Sequence, residues 1–113
     1  MSVSRVEVSD AAREDLALQS AWYVQKAGAD IAERYLNAFD ATLKKLQSLP
    51  EIGRLRMFRD PRLQGLRSFM TDGAFRLHLI FYRVEADTLV VFRVIHGMRD
   101  LPRRLMQEPG AET

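Results

Sequence analysis

The spacing of the apolar residues changes near residue 50, and this change limits the fold more than any other feature of the chain. From Ala29 to Leu49 an apolar residue returns every three or four positions. These residues share one helical face: Ile31, Tyr35, Phe39, Leu43 and Leu46. From residue 66 onward, apolar runs of strand length are separated by turn residues. Helices followed by strands predict an α+β fold.

A short strand and one more helix are predicted ahead of this helix. Residues 3–8 alternate with period two and include three valines, as in a strand with one buried face. Ser9 can cap a following helix, which should run to about Lys26 and end at Gly28. Two helices that meet at a glycine predict an antiparallel helical hairpin.

Three strands and a short C-terminal helix are predicted after the hairpin. The three strands are expected at 66–70, 75–84 and 89–95. Asp72-Gly73 is a strong signal for a two-residue turn, and residues 51–63 should be an irregular connection. The expected sheet is therefore a three-stranded antiparallel meander, followed by a short helix through Arg103 and Arg104.

The alternation within these strands predicts which side chains share a face of the sheet. In the second strand Phe75, Leu77, Leu79 and Phe81 should lie on the helices. The opposite face would then show Arg76, His78, Ile80 and Tyr82. In the third strand the two expected sets are Val90, Phe92 and Val94 on one face, and Leu89, Val91, Arg93 and Ile95 on the other. We expect the face away from the helices to be a docking groove, and the alternative is a twisted sheet with some apolar exposure.

Length and composition predict one soluble cytoplasmic domain. A chain of 113 residues can bury one modest core. We place the domain at residues 1–106 and a flexible tail at residues 107–113. There is no cysteine for a disulfide or a thiolate metal site, and no apolar run of signal-peptide or membrane-spanning length. No metal and no cofactor are expected.

The basic charge of the second half comes from arginine alone. Residues 51–105 contain eleven arginines, no lysine and six acidic residues, whereas residues 1–50 are close to neutral. Arginine binds carboxylates and phosphates in a rigid fork. The arginines either solvate the sheet or form a surface for an acidic partner or a nucleic acid.

Familiar catalytic patterns are missing from the sequence. His78 and His96 are the two histidines, and neither lies in a His/Asp/Glu group with metal-ligand spacing. There is no nucleophile-elbow motif and no glycine-rich phosphate loop. The residues alone therefore support an arginine-rich sheet face that binds a nucleic acid or an acidic peptide.

An ordered set of short segments resembles toxins of the ParE/RelE superfamily, which belong to bacterial type II toxin–antitoxin systems. The most telling segment is the ending His96-Gly97-Met98-Arg99-Asp100 after the last strand. The other segments are residues 12–16, 32–35, 46–53, 66–67, 75–77, 80–84 and 92–95. The resemblance covers about residues 3 to 105. It implies a strand, a helical hairpin and an antiparallel sheet.

The resemblance implies one of two activities. RelE-like members are metal-independent ribonucleases that cut mRNA in the ribosome, and ParE-like members inhibit DNA gyrase without chemistry of their own. Arg76 and Arg99 match two arginines of the cleaving members, and His96 could act as the base. The late tyrosine of those members is absent, with Leu105 near its place, and Leu63 and Gly65 stand where a basic pair is expected.

This incomplete set favours a gyrase inhibitor over an enzyme, although Arg67, Tyr82 and His96 could form an alternative catalytic group. The expected target-binding residues are Arg93, His96, Arg99 and Asp100. For Asp100 the alternative is a structural role, as the partner of a nearby arginine or as a cap of the short C-terminal helix through Arg103 and Arg104. The expected antitoxin-binding residues are Trp22, Arg67, Arg76 and Tyr82. The resemblance further implies a ParD-like antitoxin whose acidic, amphipathic segment wraps the toxin, with operator DNA bound through the antitoxin alone and no membrane partner. A third reading is a non-toxic relative kept as a binding module.

Overall fold

A computed structural model describes residues 2–111 as helices packed on a five-stranded sheet. The strands are β1 (Arg5–Val8), β2 (Arg54–Leu55), β3 (Arg67–Met70), β4 (His78–Glu85) and β5 (Thr88–His96). The helices are α1 (Asp10–Ala27), α2 (Ala29–Ser48) and α3 (Arg103–Met106), with short 3-10 turns at Pro61–Leu63 and Gly73–Phe75. None of the helices in this described part is both long and apolar enough to cross a membrane. The predicted α+β fold is confirmed.

The sheet has the order β1-β5-β4-β3-β2 and is mixed. The predicted antiparallel meander of three strands forms its centre, as β3, β4 and β5. The prediction of three strands after the N-terminal one was incomplete, because a fourth, β2, pairs with β3. The sheet is also not purely antiparallel, because β1 joins it in parallel with β5. Residues 51–63, predicted to be irregular, contain β2.

The helical hairpin forms where the sequence predicts it. The Ser9 side chain accepts a hydrogen bond from the backbone N–H of Ala12 (3.0 Å) and caps α1. Gly28 separates the helices with a φ of 96°, a conformation that favours glycine. From the predicted stripe of α2, Tyr35, Phe39 and Leu46 are buried.

The connection between β3 and β4 is longer than the predicted two-residue turn. The backbone N–H of Asp72 donates to the hydroxyl of Thr42 (3.0 Å), and its carboxylate pairs with Lys45 (2.9 Å). Helix α2 therefore holds the start of this connection, and a 3-10 turn carries Phe75 against the rings of Tyr23 and Tyr35. As a result β4 begins at His78 instead of residue 75.

The predicted orientation of the second strand was wrong. Ile80 and Tyr82 lie on the inner face of the sheet, the face that packs on α1 and α2. Leu79 and Phe81 lie on the opposite, outer face. Tyr82 can be buried because its hydroxyl donates to the carbonyl of Pro50 (2.7 Å) and accepts from the N–H of Gly53 (3.0 Å).

A β-bulge overturns the predicted faces of the third strand. Phe81 pairs with Arg93 and Tyr82 with Val91, so Phe92 is an extra residue in β5. Strict alternation fails across such a residue. Val91 and Val94 consequently share the inner face, where period two had placed them on opposite faces.

The outer face is covered by the chain itself and is not an open docking groove. Leu63, Leu66 and Leu105 pack there on residues of β4 and β5. Leu63 comes from the 3-10 turn ahead of β3, and Leu105 comes from α3. The predicted short C-terminal helix therefore exists and supplies part of this cover.

The first residues of the predicted tail lie against the domain. The carbonyl of Gln107 accepts a hydrogen bond from the Arg93 guanidinium, and Gly110 is next to the side chain of Leu18. Residues 112 and 113 lie outside the described part of the chain. The flexibility of residues 107–113 stays a prediction.

Candidate functional site at the ends of β4 and β5

Two loops meet where β4 begins and β5 ends. His78 and His96 are paired in register, and just beyond them the N–H of Gly97 donates to the carbonyl of Leu77 (2.7 Å). Gly97 has a φ of 82°, so glycine suits this turn. The hydrogen bond joins the segment before β4 to the segment after β5. We call Arg76, Leu77 and residues 96–100 the loop site.

The loop site presents both charge and apolar surface. Leu77 and Met98 are 64% and 60% exposed. Arg76 and Arg99 are also exposed, and their guanidinium groups have no hydrogen-bond or ion-pair partner among residues 2–111. Exposed apolar residues beside unpartnered arginines are typical of surfaces that bind another macromolecule.

Asp100 is an exposed part of the same loop. Its carboxylate pairs with Arg103 (3.0 Å), and its φ of 60° is left-handed. The pair is solvent-exposed, so it contributes little to stability. Asp100 is therefore accessible to a partner, and its pairing with Arg103 agrees with the alternative structural role. Its role in target binding stays a prediction.

The buried imidazole behind the loop site is part of a fixed hydrogen-bond network. Gln19 donates its amide nitrogen to the carbonyl of Val94 (2.9 Å), which turns its amide oxygen toward Tyr35 and His78. That oxygen accepts from the Tyr35 hydroxyl and from Nδ1 of His78 (3.2 Å). Nε2 of His78 is then left to accept from the Tyr23 hydroxyl (2.9 Å).

Burial keeps His78 neutral. Burial, and to a smaller extent the charge of nearby His96, lowers the pKa of His78 to about 4. Because both ring nitrogens are engaged, His78 cannot accept a proton from a substrate. His96 packs edge-on against the ring of His78, with centroids 4.7 Å apart, and is exposed. Of the two histidines, His96 is the one that a ligand can reach.

The backbone of the loop site is held from behind by arginine. The guanidinium of Arg104 donates to the carbonyls of His96 (2.9 Å) and Arg99 (3.3 Å). Arg93 donates from Nη1 to the carbonyls of Arg104 (3.2 Å) and Leu105 (3.3 Å). The other side of the Arg93 guanidinium forms a buried ion pair with Asp15 (2.7 Å).

A cleft of about 400 Å³ opens beside the loop site. Leu18, Trp22 and Tyr23 line it from α1, and His96 and Arg104 line it from the C-terminal segment. Trp22 is 56% exposed at this cleft. Its walls thus combine exposed aromatic surface with basic groups.

The structure divides the predicted binding residues into surface and interior groups. The residues on the surface are Trp22, Arg76, His96, Arg99 and Asp100. Arg93 and Tyr82 are 2% and 0% exposed, so neither can contact a partner in this conformation. The hydrogen bonds of both side chains go to other residues of the interior, so the structure places Arg93 and Tyr82 inside the domain and not on a predicted binding surface. Arg67 is half-buried and donates to the carbonyls of Glu51 (3.1 Å) and Gly53 (2.9 Å).

The two predicted catalytic groups fare differently. The Gly97–Leu77 hydrogen bond joins the two backbone segments that carry Arg76, His96 and Arg99, so these three residues belong to one loop site. The alternative group of Arg67, Tyr82 and His96 does not assemble: Arg67 pairs with Tyr82, four residues along β4 from the position opposite His96. Within residues 2–111 no three His, Asp or Glu side chains are placed to hold a metal ion.

Sequence reasoning missed the residues that support the site. Asp15 and Gln19 follow Ala12 on the buried side of α1, at helical spacing. A carboxylate and an amide at core positions of a helix need buried partners, and that signal was available. The exposure of Leu77 and Met98 had no comparable signal, because it depends on where β4 begins and β5 ends.

Comparisons with known proteins agree with this architecture. Residues 6–101 match the family model for the ParE toxin of the parDE type II toxin–antitoxin system. No curated protein gives a significant match.

Two solved structures share the fold. A chain of a chromosomal ParDE toxin–antitoxin system from P. aeruginosa has a TM-score of 0.68 and 19% identity, with 85% of this chain and 98% of that chain covered. A chain of the RelBE2 toxin–antitoxin complex from Mycobacterium tuberculosis has a TM-score of 0.53 and 20% identity, with 85% and 93% covered. The family match spans most of the sequence, and the chain belongs to the ParE family, the toxins of parDE type II toxin–antitoxin systems.

Proposed function

We propose that this ParE-type toxin inhibits DNA gyrase, and so DNA replication in the bacterial cytoplasm, by binding through the loop site. The observation that carries the proposal is a surface where exposed Leu77 and Met98 adjoin Arg76 and Arg99, whose guanidinium groups have no partner within residues 2–111. Such a surface suits recognition of a protein, in which apolar contacts give affinity and charges fix orientation.

The chemistry behind the loop site also favours binding over catalysis. RNA cleavage needs a group that takes the proton of the 2′-hydroxyl. His78 is neutral, but its nitrogens are occupied by Gln19 and Tyr23. Tyr23 is engaged with His78 in turn, and burial raises the pKa of its hydroxyl.

The second candidate function is ribosome-dependent mRNA cleavage. One observation supports it: His96 is exposed on the same loop site as Arg76 and Arg99. An accessible imidazole with two arginines could serve as a base with cations that stabilise a phosphorane. The fold likeness to a RelBE2 chain is consistent with either candidate.

Parallel assays with the purified toxin separate the two candidates. The toxin is added to gyrase supercoiling and DNA cleavage reactions, and to ribosomes that carry a bound mRNA. We expect inhibited supercoiling with trapped double-strand breaks, and intact mRNA. Codon-phased mRNA cuts without an effect on gyrase would establish the second candidate instead, and silence in both assays would favour a non-toxic binding module.

We further propose that a ParD-like antitoxin neutralises this toxin and contacts it around Trp22. The exposed side chains of Leu18 and Trp22 lie one helical turn apart on α1, next to a cleft with basic groups. An acidic, amphipathic segment would match both features. Operator DNA would be bound by the antitoxin within the complex and not by the toxin.

Co-expression with the product of the neighbouring gene tests the antitoxin. We expect a stable complex that Trp22→Ala weakens. Val24→Ala is the matched control, because Val24 is 51% exposed on the same helix but does not line the cleft. A toxin that remains monomeric with its neighbour, or equal effects of the two variants, would contradict this part of the proposal.

A further inference from the structure

A buried ion pair joins α1 to the bulged part of β5. Nε and Nη2 of Arg93 donate to Oδ2 (2.7 Å) and Oδ1 (2.8 Å) of Asp15. The N–H of Val94 donates to the same carboxylate (3.0 Å). Both side chains are almost fully buried, at 3% and 6% exposure. The carboxylate therefore fixes the orientation of the Arg93 guanidinium.

The pair lies at a part of the β5 edge that no strand of the described residues 2–111 covers. β1 pairs with β5 only as far as Val91. Beyond that point side chains of α1 and of its N-cap bind the backbone of β5: Ser9 donates to the carbonyl of Phe92 (2.7 Å), and Gln19 donates to that of Val94 (2.9 Å). Asp15 lies between Ser9 and Gln19 along the chain. The free edge of β5 is thus attached to an 18-residue helix at three points.

The third guanidinium nitrogen of Arg93 reaches the C-terminal segment. Nη1 donates to the carbonyls of Arg104, Leu105 and Gln107, which belong to the last residues of α3 and the residue after it. Carbonyls at the end of a helix have no partner within the helix. Arg104, held in this way, donates in turn to the carbonyls of His96 and Arg99 in the loop site.

We propose that Asp15 and Arg93 are positioning residues that set the conformation of the loop site through α3 and Arg104. The inference rests on the proposed function, because it treats the loop site as the target-binding surface. Asp15 and Arg93 touch no partner themselves. They act by fixing the backbone that carries Arg99. A binding constellation needs such support, since side chains on a loop are placed only as precisely as their backbone.

The geometry requires arginine at position 93. One planar group binds the Asp15 carboxylate with two nitrogens and the α3 carbonyls with the third. A lysine could keep the ion pair, but its single nitrogen cannot span both. Arg93→Lys therefore keeps the ion pair with Asp15 but removes the hydrogen bonds to the carbonyls of α3.

Arg93→Lys is compared with wild type and with Leu89→Ala. Leu89 is fully buried at the other end of β5, far from the loop site in register, so its truncation destabilises the fold but leaves the contacts of Arg93 with Asp15 and α3 in place. Two quantities are measured on each protein: growth arrest per amount of soluble toxin, and the hydrogen-exchange protection of the amides of Gly97, Arg104 and Leu105.

For Arg93→Lys we expect growth inhibition to fall about tenfold or more, with selective loss of protection at those three amides. Leu89→Ala should lower protection throughout the sheet but keep its toxicity per soluble molecule. Should Arg93→Lys fail to fold, Arg104→Gln removes the next contact, the one from the Arg104 guanidinium to the backbone of the loop site. For this variant the expected result is a loss of hydrogen-exchange protection at the amide of Gly97 alone. Unchanged protection at Gly97 in a folded Arg93→Lys or Arg104→Gln would overturn the proposal. Because the exchange readout does not depend on the target, it decides the positioning role even if gyrase is not inhibited.

Discussion

The two faces of the sheet are covered in different ways. On the inner face two long helices pack through apolar side chains of α1, α2, β4 and β5, in a continuous core. On the outer face short segments provide the cover, and arginines hold them by their backbone. Arg83 donates to the carbonyls of Gln64 (2.8 Å) and Arg62 (2.9 Å), and Arg93 donates to those of Arg104 and Leu105.

This difference explains much of the arginine-rich second half of the chain. A four-residue helix and a 3-10 turn bury too little apolar surface to stay in place by packing alone. A guanidinium has five N–H donors on three nitrogens of a rigid plane, so it can hold carbonyls that lie too far apart for the single ammonium nitrogen of lysine. Several arginines therefore serve the fold. The charge available to a partner is concentrated in those without a hydrogen bond or ion pair to any described residue, such as Arg76 and Arg99.

The largest effect on stability is expected from breaking the ion pair that supports the outer cover. Asp15→Ala leaves the Arg93 guanidinium buried without its counter-charge. We expect the free energy of unfolding to fall by about 3–5 kcal/mol, measured by urea denaturation. A loss below about 1 kcal/mol would mean that the outer cover does not depend on the pair.

The inner face should show its own pH dependence through His78. The pKa of His78 is about 4 in the folded chain and 6.5 when unfolded, so between these pH values the unfolded chain binds the extra proton. The free energy of unfolding should then fall as the pH drops from 6.5 to 4, by roughly 3 kcal/mol, and this contribution should be constant above pH 6.5. His78→Gln should lack this part of the slope, and equal slopes in the two proteins would refute the assignment.

A smaller effect is expected at the hydroxyl of Tyr82 on the inner face. Tyr82→Phe leaves the carbonyl of Pro50 and the N–H of Gly53 without their buried partner. The free energy of unfolding should fall by about 1–3 kcal/mol in urea denaturation. Gly53 has no room for a side chain here, because an added Cβ would lie 2.4 Å from the Tyr82 hydroxyl. An unchanged midpoint for Tyr82→Phe would show that water replaces the tyrosine.

The smallest effect on stability is expected from the arginines without internal contacts. Arg99→Ala and Arg54→Ala should each change the free energy of unfolding by less than about 0.5 kcal/mol, since both side chains are exposed. A clear destabilisation by Arg99→Ala in thermal or urea unfolding would mean that Arg99 supports the fold, as Arg83 and Arg93 do, and would remove it from the proposed binding surface.

The sequence predicted the elements well wherever local chemistry determines them. Ser9, Gly28 and the stripe of α2 mark the helical hairpin, and the end loop with Gly97 was singled out as part of the site. The faces of the strands could not be predicted in the same way. Period two gives two sets of side chains, but the choice of the inner set depends on burying the hydroxyl of Tyr82 and the imidazole of His78 against distant partners.

The register of β5 and the contacts that support the loop site also depend on residues far apart in the sequence. The bulge at Phe92 shifts the register of the second half of β5, and no residue type in that strand predicts a bulge. The sequence pattern indicates that Arg93 matters but not that it is buried, because its partners Asp15 and Gln107 are 78 residues before it and 14 residues after it along the chain. A basic residue in a strand is predicted to be exposed, and only the structure shows that a buried acid on a helix pairs with Arg93.

Gyrase-mediated DNA cleavage with three toxins tests the central claim most directly. Wild type, Arg99→Ala and the control Arg54→Ala are added at equal concentration to gyrase and plasmid DNA, and linear DNA is measured. The account predicts trapped breaks with wild type and Arg54→Ala and none above background with a folded Arg99→Ala. No breaks with wild type would contradict gyrase as the target. Equal breaks with wild type and Arg99→Ala would contradict the loop site as the surface that binds it.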